Sequence, residues 1–132
     1  MYEDLKNINI LYVEDDDFIR EQTSALLSVI FNNVYTANDG QDGIEKFESY
    51  ANELDAVVTD INMPKVSGID MSKKIKLMGN SQIPIIAVSA YSEDDHAVQD
   101  ITDIFTNYLR KPIQIKDLIN TIGEAIESTQ DK

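Results

Sequence analysis

Ala56-Val57-Val58-Thr59-Asp60-Ile61-Asn62-Met63-Pro64 puts a lone carboxylate straight after an apolar run and just ahead of a proline. A short apolar run bounded by polar residues reads as a buried strand. Two other segments share the design. Ile8-Asn9-Ile10-Leu11-Tyr12-Val13 runs into Glu14-Asp15-Asp16, and Tyr108-Leu109-Arg110 runs into Lys111-Pro112. Charged side chains that recur just past strand ends point to one shared site along one edge of a sheet.

Outward from these runs, strands alternate with helical patterns. Phe18, Ile19, Ala25, Leu26, Val29 and Ile30 recur at roughly helical spacing and predict a helix from about Asp16 to Phe31. Asn33-Val34-Tyr35-Thr36-Ala37 predicts a short strand closed by the turn signal Asn38-Asp39-Gly40. Ile44, Phe47, Glu48 and Ala51 fit a second helix. Pro64 and Gly68 mark a loop after Asp60, and Ile69, Met71, Ile75 and Met78 fit a third helix stopped by Gly79-Asn80. Ile83-Pro84-Ile85-Ile86-Ala87-Val88 is nearly all apolar, as a central strand covered on both faces should be. Ser92 with Asp95 resembles a capping box ahead of a fourth helix carrying Ala97, Val98, Ile101, Ile104 and Phe105. A fifth strand, 106–110, leads to a last helix with Ile115, Leu118, Ile119, Ile122 and Ile126; only the ends, about 1–6 and 128–132, read as frayed.

Such alternation predicts an α/β domain, a parallel sheet with helices on both faces. Right-handed crossovers then line up the carboxyl ends of all strands along one edge, where ligands of such sheets bind. Asp15, Asp60, Ser89 and Lys111 would all face that crevice.

The bulk numbers bound the function. At 132 residues the chain suits a single domain, with its core at about 8–126. It has no cysteine, hence no disulfide, thiolate metal site or thiol nucleophile, which fits a reducing compartment. No signal-peptide pattern opens it and no run reaches membrane-span length, so a cytoplasmic location without membrane contact is expected. With 24 acidic against 11 basic residues the net charge is −13, a surface that repels phosphate backbones and keeps a small domain dispersed. Direct nucleic-acid binding is therefore not expected.

Carboxylates held close together repel unless a cation joins them. Oxygen ligands without histidine or cysteine suit a hard divalent ion, foremost Mg2+, which keeps several waters and completes its shell with phosphoryl oxygen. Lys111 adds a mobile positive charge and Ser89 a hydroxyl donor, so the set reads as a phosphoryl cradle. The one histidine, His96, falls on a predicted exposed helix, which leaves no serine–histidine or cysteine–histidine pair. Aspartate can itself be the nucleophile. Asp60 stands alone at the end of a central strand, whereas Glu14 and Asp15 read as a paired metal clamp.

At these residues the sequence resembles the receiver domain of bacterial two-component response regulators. The resemblance covers about residues 8–126 and rests on Val13-Glu14-Asp15-Asp16, Asp60-Ile61-Asn62-Met63-Pro64 with Gly68, Val88-Ser89-Ala90 and Lys111-Pro112, in order and at family-like spacing. It implies a doubly wound five-stranded parallel sheet in the flavodoxin-like order 2-1-3-4-5. It implies that Asp60 accepts a phosphoryl group from a sensor histidine kinase or a phosphotransfer protein. Asp15, Asp60 and the main-chain carbonyl of Asn62 would hold Mg2+, with Glu14 acting through water. Ser89 would contact the phosphoryl oxygens, Lys111 would pair with the acceptor and its phosphate, and Tyr108 would be the aromatic switch. A cis peptide before Pro112 is also implied. Phosphorylation would change the partner preference of the face formed by the fourth helix, fifth strand and fifth helix, the same face on which homodimers would form. One departure is Asp103-Ile104-Phe105-Thr106-Asn107, bulkier than the family's usual residues ahead of the switch aromatic; it bears on the fourth helix and the output surface.

Simpler roles compete for several of these residues. Asp16 reads first as a helix cap, and Tyr108 reads equally as packing on an edge strand. Met63, Met71 and Met78 read as loop and core packing. Two other functions stay open. One is a phosphate-independent interaction module of the same fold. The other is a metal-dependent phosphatase, which typically needs a second aspartate where Asn62 stands. The end at Lys132 allows a stand-alone regulator or a module of a longer regulator or hybrid kinase.

Overall fold

The computed structural model describes residues 4–61, 63, 66–78, 82–89 and 104–130. Asn62, Pro64, Gly79, Asn80, Ala90, Tyr91, His96, the Ser92/Asp95 capping box and most of the fourth predicted helix lie outside the described residues. Five strands, β1 (Asn9–Val13), β2 (Asn33–Ala37), β3 (Ala56–Asp60), β4 (Ile85–Ser89) and β5 (Asn107–Arg110), form one parallel sheet in the order β2-β1-β3-β4-β5. The described helices are α1 (Asp17–Ile30), α2 (Gly40–Tyr50), α3 (Gly68–Leu77) and α4 (Ile115–Gln130); α4 is the last of the predicted helices.

Strand side chains alternate between two helical layers. Leu11, Val13, Val57, Ile85 and Ala87 point to one side and pack with Ile44 and Phe47 of α2 and Met71 and Ile75 of α3. Ile10, Tyr12, Val58, Ile86 and Val88 point to the other and pack with Leu27 of α1 and Leu118, Ile122 and Ile126 of α4. β3 and β4 are buried throughout, as nearly continuous apolar strands should be. Each fully buried isoleucine or leucine contributes roughly 1.5–3 kcal/mol. At the outer edge, the rings of Tyr35 on β2 and Tyr50 on α2 stack with centroids 4.0 Å apart.

The structure adds to the sequence reading at three places. The helix α1 does not bury its most apolar face: Leu27 is its only buried residue, while Phe18 is 69%, Leu26 53% and Val29 78% exposed. The phase of the helix is set where it begins. Asp16 caps it through the Ile19 N–H, and Arg20 turns back onto the preceding loop; the same phase brings Leu27, two turns on from Arg20, under the helix and turns Leu26 and Val29 outward. Within the described residues, the two ends carry more secondary structure than their composition suggests. Asp4–Asn7 form a 3-10 turn that buries Leu5 against the α1/α4 layer, and α4 continues to Gln130. Asn38-Asp39-Gly40 is a helix entry and not only a turn, because Asp39 caps α2 through the Asp42 N–H at 2.7 Å.

Candidate functional site

The carboxyl ends of β1, β3 and β5 bring three of the expected groups into direct contact. Lys111, just past β5, donates from Nζ to Asp60 Oδ2 at 3.0 Å and to Glu14 Oε1 at 3.1 Å. The Glu14 side chain is 3% exposed, Asp60 9% and Lys111 25%, so both ion pairs are largely withdrawn from water. Burial pulls the Lys111 ammonium down, but its bonds and charge pairing with Asp60 and then Glu14 outweigh this and raise it above the usual lysine value. Burial also raises the Glu14 carboxyl, opposed first by the Asp16 N–H, then reinforced by the charge of Asp60.

Asp15 completes the cluster. Glu14, Asp15 and Asp60 each present one carboxylate oxygen, all within 4.8 Å of one another. Asp15 is exposed at the turn, and Asp16 is the helix cap expected of it. An all-oxygen set of this size, anionic and partly open to solvent, fits a hard divalent cation that keeps part of its water shell.

The local sequence explains why these groups hold their places. Gly68 opens α3 with its N–H on the Ile61 carbonyl at 2.8 Å, and a Cβ there would collide with the Asp60 carbonyl. Only glycine allows the helix to approach the strand end that carries Asp60 so closely. Lys111 is held by its own N–H on the Ser89 carbonyl at 2.8 Å, and the Lys111–Pro112 peptide is cis. Ser89 is buried at the end of β4, one residue past Val88, the partner of Asp60 in register. Tyr108 pairs with Ala87 in the sheet and packs, partly buried, against the α2/α3 layer.

Chain comparison agrees with this geometry. The response regulator receiver domain family matches residues 10–123. The chain belongs to the receiver domain family. The receiver is 34% identical over 125 residues to the transcriptional regulatory protein ZraR of Klebsiella oxytoca, covering 95% of this chain and 28% of that protein. It thus spans little more than a quarter of that relative's length. A response regulator receiver domain protein from Clostridium thermocellum superposes with a TM-score of 0.85 at 31% identity, covering 93% of this chain and 97% of that one. The CheY of Borrelia burgdorferi, crystallised with CheX, BeF3 and Mg2+, superposes with a TM-score of 0.82 at 25% identity over 94% of this chain and 92% of that one. Receiver domains are signalling modules that bind Mg2+ at an acidic site, and this receiver has an acid cluster of Glu14, Asp15 and Asp60. Among the described residues no helix is long and apolar enough to cross a membrane.

Two features escaped the sequence. Arg20 donates from Nη1 to the Glu14 carbonyl at 2.9 Å and pairs through Nη2 with Asp17; an arginine three residues after the last acid of Glu14–Asp17 was the available signal. The other is a cavity of about 640 Å3 beside Asp60, lined among others by Tyr12, Ile19, Leu26, Pro112, Ile113 and Leu118. Burial pushes the Tyr12 hydroxyl up to about 12, against the pull of its hydrogen bond with Thr23.

Proposed function

We propose that the chain, residues 1–132, works as one cytoplasmic phosphoacceptor receiver domain in which Asp60 takes a phosphoryl group from a phosphohistidine of a sensor kinase or phosphotransfer protein. The observation that carries this is the buried Glu14–Lys111–Asp60 contact with Asp15 at its open side.

An Asp60 carboxylate oxygen attacks phosphorus, the P–N bond to the donor imidazole breaks, and its electron pair stays on that nitrogen; the ring leaves as neutral imidazole, with a proton already on its other nitrogen or taken up from solvent. Lys111 holds the carboxylate in place and presents positive charge to the transferring oxygens. Asp15, Asp60 and the Asn62 carbonyl would hold Mg2+, with Glu14 acting through water. The bound ion would offset the negative charge shared by the acids and the phosphoryl group. Ser89 donates its hydroxyl to the phosphoryl oxygens, Tyr108 follows its movement, and the face that includes β5 and α4 shifts between two existing states that prefer different partners or a second copy. The donor docks on the exposed Phe18–Leu26–Val29 strip of α1, which borders the cavity leading to Asp60.

Intact mass after incubation with a small-molecule phosphodonor tests the acceptor. A single Mg2+-dependent phosphoryl adduct is expected in the wild type and none in Asp60→Asn; an adduct that persists in the variant assigns the wrong residue. No adduct from either a small donor or a phosphorylated histidine kinase would favour the phosphate-independent module. Steady turnover of a phosphomonoester would instead favour the phosphatase. For the docking strip, Val29→Glu should slow transfer from a protein donor while leaving the small-molecule reaction intact. Equal loss in both reactions would remove α1 from the donor interface.

A further inference from the structure

We infer that Arg20 is a positioning residue for the metal site, clasping the turn between β1 and α1 so that Asp15 is preset before any cation arrives. The inference rests on the Mg2+-binding reading of the acid cluster.

No hydrogen bond or ion pair of the Asp15 carboxylate is found among the described residues, and the side chain is exposed. Its place is therefore set by the main chain on either side of it. After it, the Asp16 N–H donates to Glu14 Oε2 at 3.1 Å, and Asp16 Oδ1 accepts from the Ile19 N–H at 2.9 Å. Before it, the Glu14 N–H is fixed on the Ala37 carbonyl at 3.0 Å. That leaves the Glu14 carbonyl, the group at the peptide that leads into Asp15, and Arg20 Nη1 takes it at 2.9 Å.

The guanidinium suits this task. Its planar fork reaches two acceptors at once, the Glu14 carbonyl and the Asp17 carboxylate at 2.6 Å, one on each side of the turn. Asp17 is 82% exposed, so that ion pair adds little stability alone, but Arg20 is only 16% exposed and its head is held against the loop. Arg20 also belongs to the helix by its own N–H on the Asp16 carbonyl at 2.9 Å. One residue thus ties the rigid helix, the strand end and the turn that presents a ligand. Outer groups that orient ligands commonly alter metal affinity 10–100-fold when removed.

A charge effect and a clasp predict opposite signs. Removing a cation from beside an anionic site should tighten Mg2+ binding by Coulomb attraction alone. Removing a clasp should weaken it. Calorimetric titration of Mg2+ into wild type, Arg20→Met and Arg20→Lys, without phosphodonor, separates the two. The clasp predicts affinity about tenfold weaker in Arg20→Met, with Arg20→Lys between it and wild type, since one ammonium keeps the charge without the fork. In the metal-free protein the amides of Asp15 and Asp16 should exchange faster in both variants while those of β3 and β4 do not. Affinity equal to or tighter than wild type in Arg20→Met overturns the inference. If that variant fails to fold, wild-type affinity and exchange in Arg20→Lys do the same. A wild type that takes up no Mg2+ would instead bring down the reading of the site itself.

Discussion

At its amino end β1 starts with Asn9, whose side chain accepts from Asn32 and Asn33 at 3.0 Å each and donates to the Glu53 carbonyl at 3.0 Å, while its N–H reaches Asp55 at 2.9 Å. At its carboxyl end the same strand runs into Glu14 and Asp15, which crowd Asp60 around a single lysine. The first end is mostly neutral and matched donor to acceptor; it ties β1, β2 and the approach to β3 in register. The second sets three carboxylates around Lys111, the cation in contact with two of them among the described residues, so it gains most from something added. A polar cluster that is complete specifies the fold, and one that is incomplete specifies a ligand.

Substitutions at each end should break this contrast in different measurable quantities. The largest effect belongs to Lys111→Met, which should slow phosphoryl transfer to Asp60 about a hundredfold, the usual cost of one charge-stabilising donor. It should also tighten Mg2+ binding, because a competing cation is gone. Slower transfer with weaker Mg2+ binding would contradict the separation of roles. Gly68→Ala forces a methyl against the Asp60 carbonyl and should lower stability by ~1–3 kcal/mol in denaturant unfolding. Asn9→Ala removes three partly solvated hydrogen bonds and should lower stability by about 1–2 kcal/mol, with phosphoryl transfer from a small donor unchanged.

The smallest effect has the most telling sign. Burial, with Asp60 adding to it, raises the Glu14 carboxyl above its ordinary 4.5. A carboxyl that holds its proton more tightly when folded supports the fold fully below 4.5 and loses that support as pH rises through the raised folded value. Metal-free Glu14→Gln should lack this decline and be the more stable protein at neutral pH, as read from denaturant midpoints in chelator. Lower stability of the variant there would mean that Glu14 is matched after all.

Much of this was legible in the sequence. Period-two and continuous apolar runs located the strands, β2 residue for residue at Asn33–Ala37, and the single hand of crossover connections aligned their carboxyl ends. Glu14, Asp15, Asp60 and Lys111 could be named because each stands at or just past the carboxyl end of a strand, where a shared edge makes sense of it. The face of α1 was not legible. Its apolar residues outnumber those on its buried side, and the rotation follows from bonds that no hydrophobic count includes, those of the Asp16 N–H to Glu14 Oε2 and of Arg20 to the Glu14 carbonyl. The Asn9 network was hidden for a similar reason, because it joins residues up to 46 positions apart through amide side chains, one carboxylate and main-chain groups.

Tyr12 gives the protein its own optical probe. The chain has no tryptophan, so its near-ultraviolet emission comes from six tyrosines without a stronger acceptor to drain it. One of them lines the cavity beside Asp60 with its hydroxyl on Thr23, close enough to feel the charges of Glu14, Lys111 and Asp60. Filling the site changes those charges, and the brightness of an unlabelled sample should change with them; Tyr12→Phe would show how much of the signal that ring carries.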